Sequence, residues 1–343
     1  MKRLLVIRLS ALGDVAMTVP VLAAVASGRP DLEITVLSRP AFRPLFAQLP
    51  SNVVFMPADL KGEHKGAGGL LRLCFTLRKA GFDAVADLHD VLRTKVIRWF
   101  LRLCGVRYAR IRKGRKEKRE LTRQKKKILV RLPSSFERYQ QVFNQLNIPA
   151  EPDFRSIFGQ ERGDLSKILH LTGEKGTDKW IGIAPFAKHP GKIYPPQQME
   201  QVIKQLLSTP GLRIFLFGGG PEESDLLASW ELKYPGITAL PGKLGFANEL
   251  VLMSWLDGMI SMDSANMHLA SLTGTPVVSI WGATHPYAGF MGWNQSPENV
   301  LQTDLPCRPC SVFGEIPCLR KDYACLWLVS PESIVAKTRI ILK

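Results

Sequence analysis

A rhythm constrains this chain more than any other feature. Short β-rich apolar runs alternate with amphipathic helical stretches across residues 4–105, and do so again across 180–282. In the first half LLVIRL (4–9), ITVL (34–37), VVFM (53–56) and AVADL (84–88) read as strands. Between and after them VAMTVPVLAAVAS (15–27), LLRLCFTLRKA (70–80) and VLRTKVIRWFLRLCG (91–105) carry helical spacing. In the second half WIGIAP (180–185), LRIFLFGGG (212–220), GMISM (258–262) and TPVVSIWG (275–282) are strands. PQQMEQVIKQLL (196–207), residues 222–233, ANELVLMSWL (247–256) and SANMHLASLTG (264–274) are helices, and PESIVAKTRIILK (331–343) closes the chain as one more. Strand–helix alternation implies a parallel sheet covered by helices on both faces. A length of 343 residues with 45% hydrophobic content suits two such domains, each with its own core. The polar, aperiodic stretch EPDFRSIFGQERGD (151–164) sets a linker near 150–175. The expected domains are therefore 1–165 and 176–330, with a C-terminal helix over 331–343.

The first 28 residues look a little like a secretory signal, but Arg8 and Asp14 interrupt the apolar stretch. They read as part of the folded protein. No run approaches the roughly 18 to 20 apolar residues of a membrane span, so the expected location is cytoplasmic. The chain carries 46 Lys and Arg against 30 Asp and Glu, a net +16. Between Arg107 and Arg131 there are thirteen Lys or Arg and two Glu, so most of the excess is local. Such a patch points to an anionic partner: nucleic acid, a phosphorylated glycolipid or an anionic membrane surface. The segment lacks interleaved aromatics beyond Tyr108 and no recognition module appears, which argues against nucleic acid. A helix follows over FERYQQVFNQL (136–146). Of six cysteines, four lie at 307, 310, 318 and 325. Their spacing matches no established zinc module, and both structural zinc and reduced loop thiols stay open. Cys74 and Cys104 read as core residues.

In open parallel sheets, ligands sit beyond the carboxyl ends of the strands, and the distinctive polar motifs fall there. Ser10-Ala11-Leu12-Gly13-Asp14 follows the first strand. Gly13 allows a tight turn, and Asp14 suits either a helix cap or a general base that takes a proton from a hydroxyl. The G-x-G-x-x-G dinucleotide fingerprint is absent. Met262 to Ala270 joins a strand to a helix. Small residues at 264 and 265 and free N–H groups suit a phosphate, with His268 one turn in; a capped helix with a buried histidine fits equally. Lys188 to Pro195 is a loop with two lysines that can neutralise a diphosphate, or a solvated surface loop. In Phe217 to Glu222, a glycine turn ahead of a helix displays Glu222, as a ribose-binding acid or as a first-turn glutamate favoured by the helix dipole.

Together and in this order the motifs resemble one family, the ADP-heptose lipopolysaccharide heptosyltransferases of glycosyltransferase family nine. IRLSALGDVAMTVPVL (7–22) is similar to the family's opening I-R-x-S-x-x-G-D-x-x-x-x-x-P-x-L. DLHDVLRTKVI (87–97) resembles its D-x-q-x-x-x-r-s segment, and Lys192-Ile193-Tyr194-Pro195 its K-x-W-P with Tyr for Trp. FGGGPEE (217–223) resembles the loop ending in a ribose-binding acid. DSANMHLASLTGTPVVSIWGATHP (263–286) resembles the D-[ST]-G-x-x-H block, with Ala265 where the family often has Gly.

The resemblance implies an α/β GT-B fold, two Rossmann-like doubly wound domains facing across a cleft. It implies an inverting transfer of heptose from ADP-heptose to the lipopolysaccharide inner core, without cofactor or metal; another nucleotide-diphosphate sugar is the alternative donor. Asp14 would be the catalytic base. Lys192 would hold the diphosphate, Glu222 the ribose and Asp263 the transferred sugar, with Ser264, Ala265 and His268 around the phosphates. Ser10, Gly13 and the basic Arg112, Lys113 and Arg115 would serve the anionic glycolipid acceptor. The chain would work as a monomer at the inner face of the cytoplasmic membrane.

Overall fold

A computed structural model describes every residue except Ala150 and Pro152, the two positions of the expected linker that lie outside the described residues. Contacts divide the chain into two compact units. The first comprises Met1–Lys113 and Pro133–Ile157, the second Gly114–Leu132 and Phe158–Lys343.

The first unit is built on five parallel strands: β1 (Arg3–Ile7), β2 (Glu33–Ser38), β3 (Val53–Pro57), β4 (Ala84–Asp87) and β5 (Arg107–Arg110). Their order is β3-β2-β1-β4-β5. Ile7 lies opposite Leu37 on one side and Asp87 on the other. Leu4 to Ile7 are wholly buried, as expected for a central parallel strand covered on both faces. The core under this sheet joins Leu5, Ile7 and Val85 to Leu73 and Leu77 of the Gly66–Ala80 helix and Ile97 and Leu101 of the Leu92–Leu103 helix.

The second unit carries six parallel strands: β6 (Lys179–Ala184), β7 (Leu212–Leu216), β8 (Ile237–Ala239), β9 (Gly258–Met262), β10 (Val277–Trp281) and β11 (Val300–Gln302). Their order is β11-β10-β9-β6-β7-β8. Ile181, Ile183, Ile260 and Ile280 pack with Met199, Val202 and Ile203 of the Pro196–Leu207 helix, and the C-terminal Pro331–Ile341 helix adds Ile334 and Val335 to the same core. The order of strands reverses between β1 and β4 in one sheet and between β6 and β9 in the other. Crevices at such switch points are where doubly wound sheets bind ligands.

The elements depart from the sequence expectation in ways with physical causes. The helix expected over 15–27 is two, Leu12–Ala16 and Val19–Gly28, because Pro20 starts a new helix in its first turn, where its missing N–H costs nothing. Strands β5, β8 and β11 were not expected. All three are edge strands of three or four residues, too short to show a period. The stretch Gly114–Leu132 was expected in the first domain but groups with the second. Leu121 and Leu132 bury against Ala288 and Phe290, and the Lys127 ammonium donates to the carbonyls of Pro306, Cys307 and Pro309. Residues 158–165 also join the second unit, where the indole of Trp255 donates to the Gly163 carbonyl. Cys104 caps the end of the Leu92–Leu103 helix and is exposed, whereas Cys74 is buried. No helix among the described residues is long and apolar enough to cross a membrane.

Asp87, at the end of β4, is fully buried and organises the turn that follows it. One carboxylate oxygen accepts from the backbone N–H groups of His89 and Asp90, and the other sits 2.6 Å from Arg98. Removing one partner of a buried pair leaves the other charge uncompensated. Asp87→Ala is expected to destabilise the protein by about 3 kcal/mol or more, read as a lower midpoint of urea unfolding. The double variant Asp87→Ala with Arg98→Met should recover part of that loss.

Candidate functional site

Two clusters gather the polar motifs, one on each sheet. On the first unit β1 ends at Ile7 and a tight turn leads into the Leu12–Ala16 helix, which carries Gly13 and Asp14. Arg8 is buried and clamps this turn. One of its terminal nitrogens donates to the Leu88 carbonyl, and the other lies 2.6 Å from Oδ2 of Asp14. The Ala11 N–H also donates to Asp14 Oδ2, at 3.3 Å; the N-cap is Ala11, and Asp14, the third helical residue, reaches back to it instead of capping the helix itself. Oδ1 has no such partner among the described residues. The Asp14 side chain is about a third exposed (31%), open enough for a substrate to reach. Tyr139 closes the inner side, its hydroxyl donating to the Asp14 carbonyl.

His89 joins the cluster from the turn after β4. Its Nδ1 accepts from the Leu9 N–H, and its Nε2 lies 3.5 Å from Ser10 Oγ. Burial, then the nearby Arg8 and Lys113 charges, push its pKa down to about 3. It is a neutral imidazole whose protonated Nε2 faces the Ser10 hydroxyl, not a proton-transfer group at physiological pH. Of the basic residues expected to serve an acceptor, Arg112 and Lys113 belong to this unit and Arg115 to the other. Arg112 is exposed, while the Lys113 ammonium donates to the Asp90 carbonyl.

The second cluster is built at the switch between β6 and β9. Asp263 directly follows β9 and Lys192 sits in the short Pro190–Lys192 turn after β6, with their charged atoms 3.0 Å apart. Thr284, after β10, donates to the same Asp263 oxygen at 2.8 Å. The lysine turn is pinned to the β10 loop where the Ala283 N–H meets the Gly191 carbonyl. The approach is close enough that a Cβ on Gly191 would stand 2.9 Å from that of Ala283. Gly314, at φ +83°, lies against the Lys192 stem, and a Cβ there would come within 2.6 Å of it. Beneath them the guanidinium of buried Arg308 donates to the carbonyls of Gly282, Trp281, Thr303 and Thr284. It fixes the loop that presents Thr284.

Ser264 begins the Ala265–Leu272 helix with no side-chain cap, so the first-turn N–H groups at 266 and 267 are not covered by the residue that usually covers them. His268 is buried in the same helix. Glu222 is exposed in the first turn of the Pro221–Lys233 helix, and its neighbour Glu223 folds back to accept from the Gly219 N–H. Reasoning from sequence passed over Arg8, His89, Thr284 and Arg308. Three of them stood inside motifs already quoted, where the polar residues between the named ones carried the signal.

Cys307, Cys310, Cys318 and Cys325 are free thiols around one small enclosed cavity, together with Arg308 and Tyr323. Burial pushes Cys325 up to about 11, so it is protonated at neutral pH. Among the described residues no group of three or more His, Cys, Asp or Glu is placed to hold a metal ion.

Two parallel α/β units, each with polar residues gathered at the switch point of its sheet, are the architecture of the GT-B fold. The family model of glycosyltransferase family 9 (heptosyltransferase) matches residues 70–317, and the chain belongs to that family. Lipopolysaccharide heptosyltransferase 1 of Campylobacter coli is 24% identical over 83% of this chain and 85% of its own length. The crystal structure of a family 9 glycosyltransferase from Veillonella parvula superposes with a TM-score of 0.75 at 20% identity, covering 99% of this chain and 97% of that one. E. coli ADP-heptose lipopolysaccharide heptosyltransferase II gives 0.71 at 19% identity, covering 100% and 98%.

One further carboxyl in the second unit titrates far from its usual range. Burial in the first turn of the Phe246–Trp255 helix pushes Glu249 up to about 7. The unfolded chain ionises this group near 4.5, so the folded state binds the proton more tightly. Its contribution to stability is therefore fully present below pH 4.5 and is lost as pH rises towards 7. Glu249→Gln removes that loss. The melting temperature of the variant minus that of the wild type should grow between pH 5 and pH 8, and a difference independent of pH would refute the assignment.

Proposed function

We propose that this glycosyltransferase moves heptose from ADP-heptose onto the lipopolysaccharide inner core, with inversion and without a metal ion. The observation that carries the reading is the Lys192–Asp263 pair beside the uncapped start of the Ala265–Leu272 helix. A cation and free N–H groups at one strand end are what a departing diphosphate requires. Asp263 directly precedes Ser264, and it already faces Lys192 and Thr284. The charge of the leaving group thus falls to the protein's own cation. Ser264, Ala265 and His268 would line the phosphates, Glu222 the ribose, and Asp263 the transferred sugar.

On the first unit Arg8 and the Ala11 N–H hold one oxygen of Asp14, which leaves Oδ1 to receive a proton. The acceptor hydroxyl gives its proton to Oδ1 as its oxygen bonds to the anomeric carbon. The bond from that carbon to the diphosphate oxygen breaks on the opposite face, and ADP leaves with the electron pair. Ser10 and Gly13 shape the acceptor side. Arg112, Lys113 and Arg115 would draw an anionic acceptor at the inner face of the cytoplasmic membrane, where a monomer would suffice. Ala265 favours a second reading, in which the methyl group selects another nucleotide-diphosphate sugar. A panel of nucleotide sugars, scored by nucleoside diphosphate release, separates the two.

Asp14→Asn is expected to lower kcat about 10²- to 10⁴-fold with donor Kd nearly unchanged; wild-type turnover in this variant would overturn the base assignment. Turnover should also survive dialysis against EDTA. Activity that vanished with EDTA and returned with Mg²⁺ or Mn²⁺ would contradict the role given to Lys192.

A further inference from the structure

The first unit displays an apolar surface for which its own core has no use. On the Leu92–Leu103 helix, Leu92, Val96, Trp99 and Leu103 are 81%, 43%, 59% and 83% exposed. Their spacing of 4, 3 and 4 residues places them in one stripe. At about 100° per residue the stripe spans roughly 60° of the helix surface. The residues the helix buries, Thr94, Ile97, Arg98 and Leu101, lie on the other side. The helix is thus apolar towards the core and apolar again towards solvent. The Gly66–Ala80 helix beside it repeats the pattern, with Leu71 and Phe75 about half exposed while Leu73 and Leu77 pack inward. Phe75 meets Phe100 edge to face at 5.3 Å, which joins the two helices.

Charge identifies what would cover this surface. Neither helix contains an Asp or a Glu. Arg72, Arg78 and Lys79 border the exposed face of the first helix. On the second, Arg93 lies on one side of the stripe and Lys95 and Arg102 on the other. The Arg102 guanidinium reaches over the ring of Trp99 at 5.9 Å and donates to the Tyr108 hydroxyl. A protein partner with an apolar face would need its own acids to meet this rim. An anionic bilayer meets it everywhere: aliphatic side chains and an indole enter the headgroup boundary while flanking cations stay at the phosphates.

We propose that the exposed faces of these two helices, centred on Leu92, Trp99 and Leu103, dock the protein on an anionic membrane surface. The proposal deepens the proposed function, because an acceptor carried on a lipid would then be met by the unit that bears Asp14. It also differs from recruitment by the basic Gly114–Leu132 segment, which belongs to the other unit.

The test is flotation of the full-length protein with vesicles of phosphatidylcholine alone and of equal parts phosphatidylcholine and phosphatidylglycerol. Wild type should float with the anionic vesicles only. The variant Leu92→Ser, Trp99→Ser, Leu103→Ser changes exposed side chains, so its melting temperature should match wild type. Its partition into anionic vesicles should fall about tenfold or more, the order expected for losing this much apolar surface. The variant Arg93→Gln, Lys95→Gln, Arg102→Gln should lose binding mainly at low salt, because exposed charges are screened within about 8 Å at physiological ionic strength. Vesicle binding is read without turnover, so it stands or falls apart from the identity of the donor and of the base. Flotation of the serine variant at the wild-type level overturns the proposal, as does wild type that ignores anionic vesicles. Conversion of a wild-type dimer to monomer by the serine substitutions, seen by analytical ultracentrifugation with vesicle binding intact, would assign the face to a second copy of the chain instead.

Discussion

Parallel pairing is the constraint from which the rest of this molecule follows. Every strand pair in both sheets runs the same way, so all carboxyl ends of a sheet lie along one edge. Residues distant in sequence meet there without any special arrangement: Arg8 and Asp14 after β1 with His89 after β4, and Lys192 after β6 with Asp263 after β9 and Thr284 after β10. The strand order determines which of these edges opens into a crevice. Both clusters fall where the order reverses, because only there do the two flanking connections leave in opposite directions.

The apolar rhythm made the interior of each sheet legible, since buried parallel strands such as Leu4–Ile7 and Gly258–Met262 are nearly continuous hydrophobic runs. The edges were not legible. Arg107–Arg110 has one buried residue of four, and β11 has none, so neither offers a period to read. The site divides in the same way. Asp14, Lys192 and Asp263 stood out because a lone polar residue after a strand is conspicuous. Arg8 did not, because an arginine just past a strand looks like an interruption of the apolar run. Its position in the fold turns the interruption into a clamp: a buried guanidinium must find acceptors, and it finds the Leu88 carbonyl and the Asp14 carboxylate. Arg308 makes the same point for the second cluster. Nothing local in sequence tells that its guanidinium is buried under the loop that carries Thr284.

The cationic excess was the most visible compositional feature and the one the fold redistributes most. Along the sequence the thirteen cations between Arg107 and Arg131 form one patch. In space Arg107 to Lys113 and Gly114 to Leu132 belong to different units. Several of the charges are already engaged. Lys127 is desolvated under three backbone carbonyls, which lowers its pKa, and Lys118 stands 4.2 Å from the Phe290 ring centre. A lysine that satisfies carbonyls in its own fold keeps its charge but has fewer donors left for an approaching ligand. Net charge counted by segment therefore overstates the cationic donors that the surface offers.

Attraction to a membrane would therefore depend on more than the charge of one segment. Charge alone draws a protein towards an anionic surface but does not set an orientation, because the field is long-ranged compared with the size of a side chain. Orientation requires short-range contacts that form in one pose only. The Leu92–Leu103 helix supplies both in one element: arginine and lysine at the borders, and between them leucine and tryptophan side chains more than half exposed to water. Such exposure is costly to solubility, and large exposed apolar groups arranged in a single stripe are a stronger signal than the same residues scattered. The stripe is also compatible with the fold, because the helix meets its core obligations through Ile97 and Leu101 on the other side. A helix of twelve residues can satisfy two apolar environments only when their stripes lie on opposite faces. The residues at 92, 96, 99 and 103 are spaced to meet that condition, and so the outer face is free to change in composition without disturbing the sheet it covers.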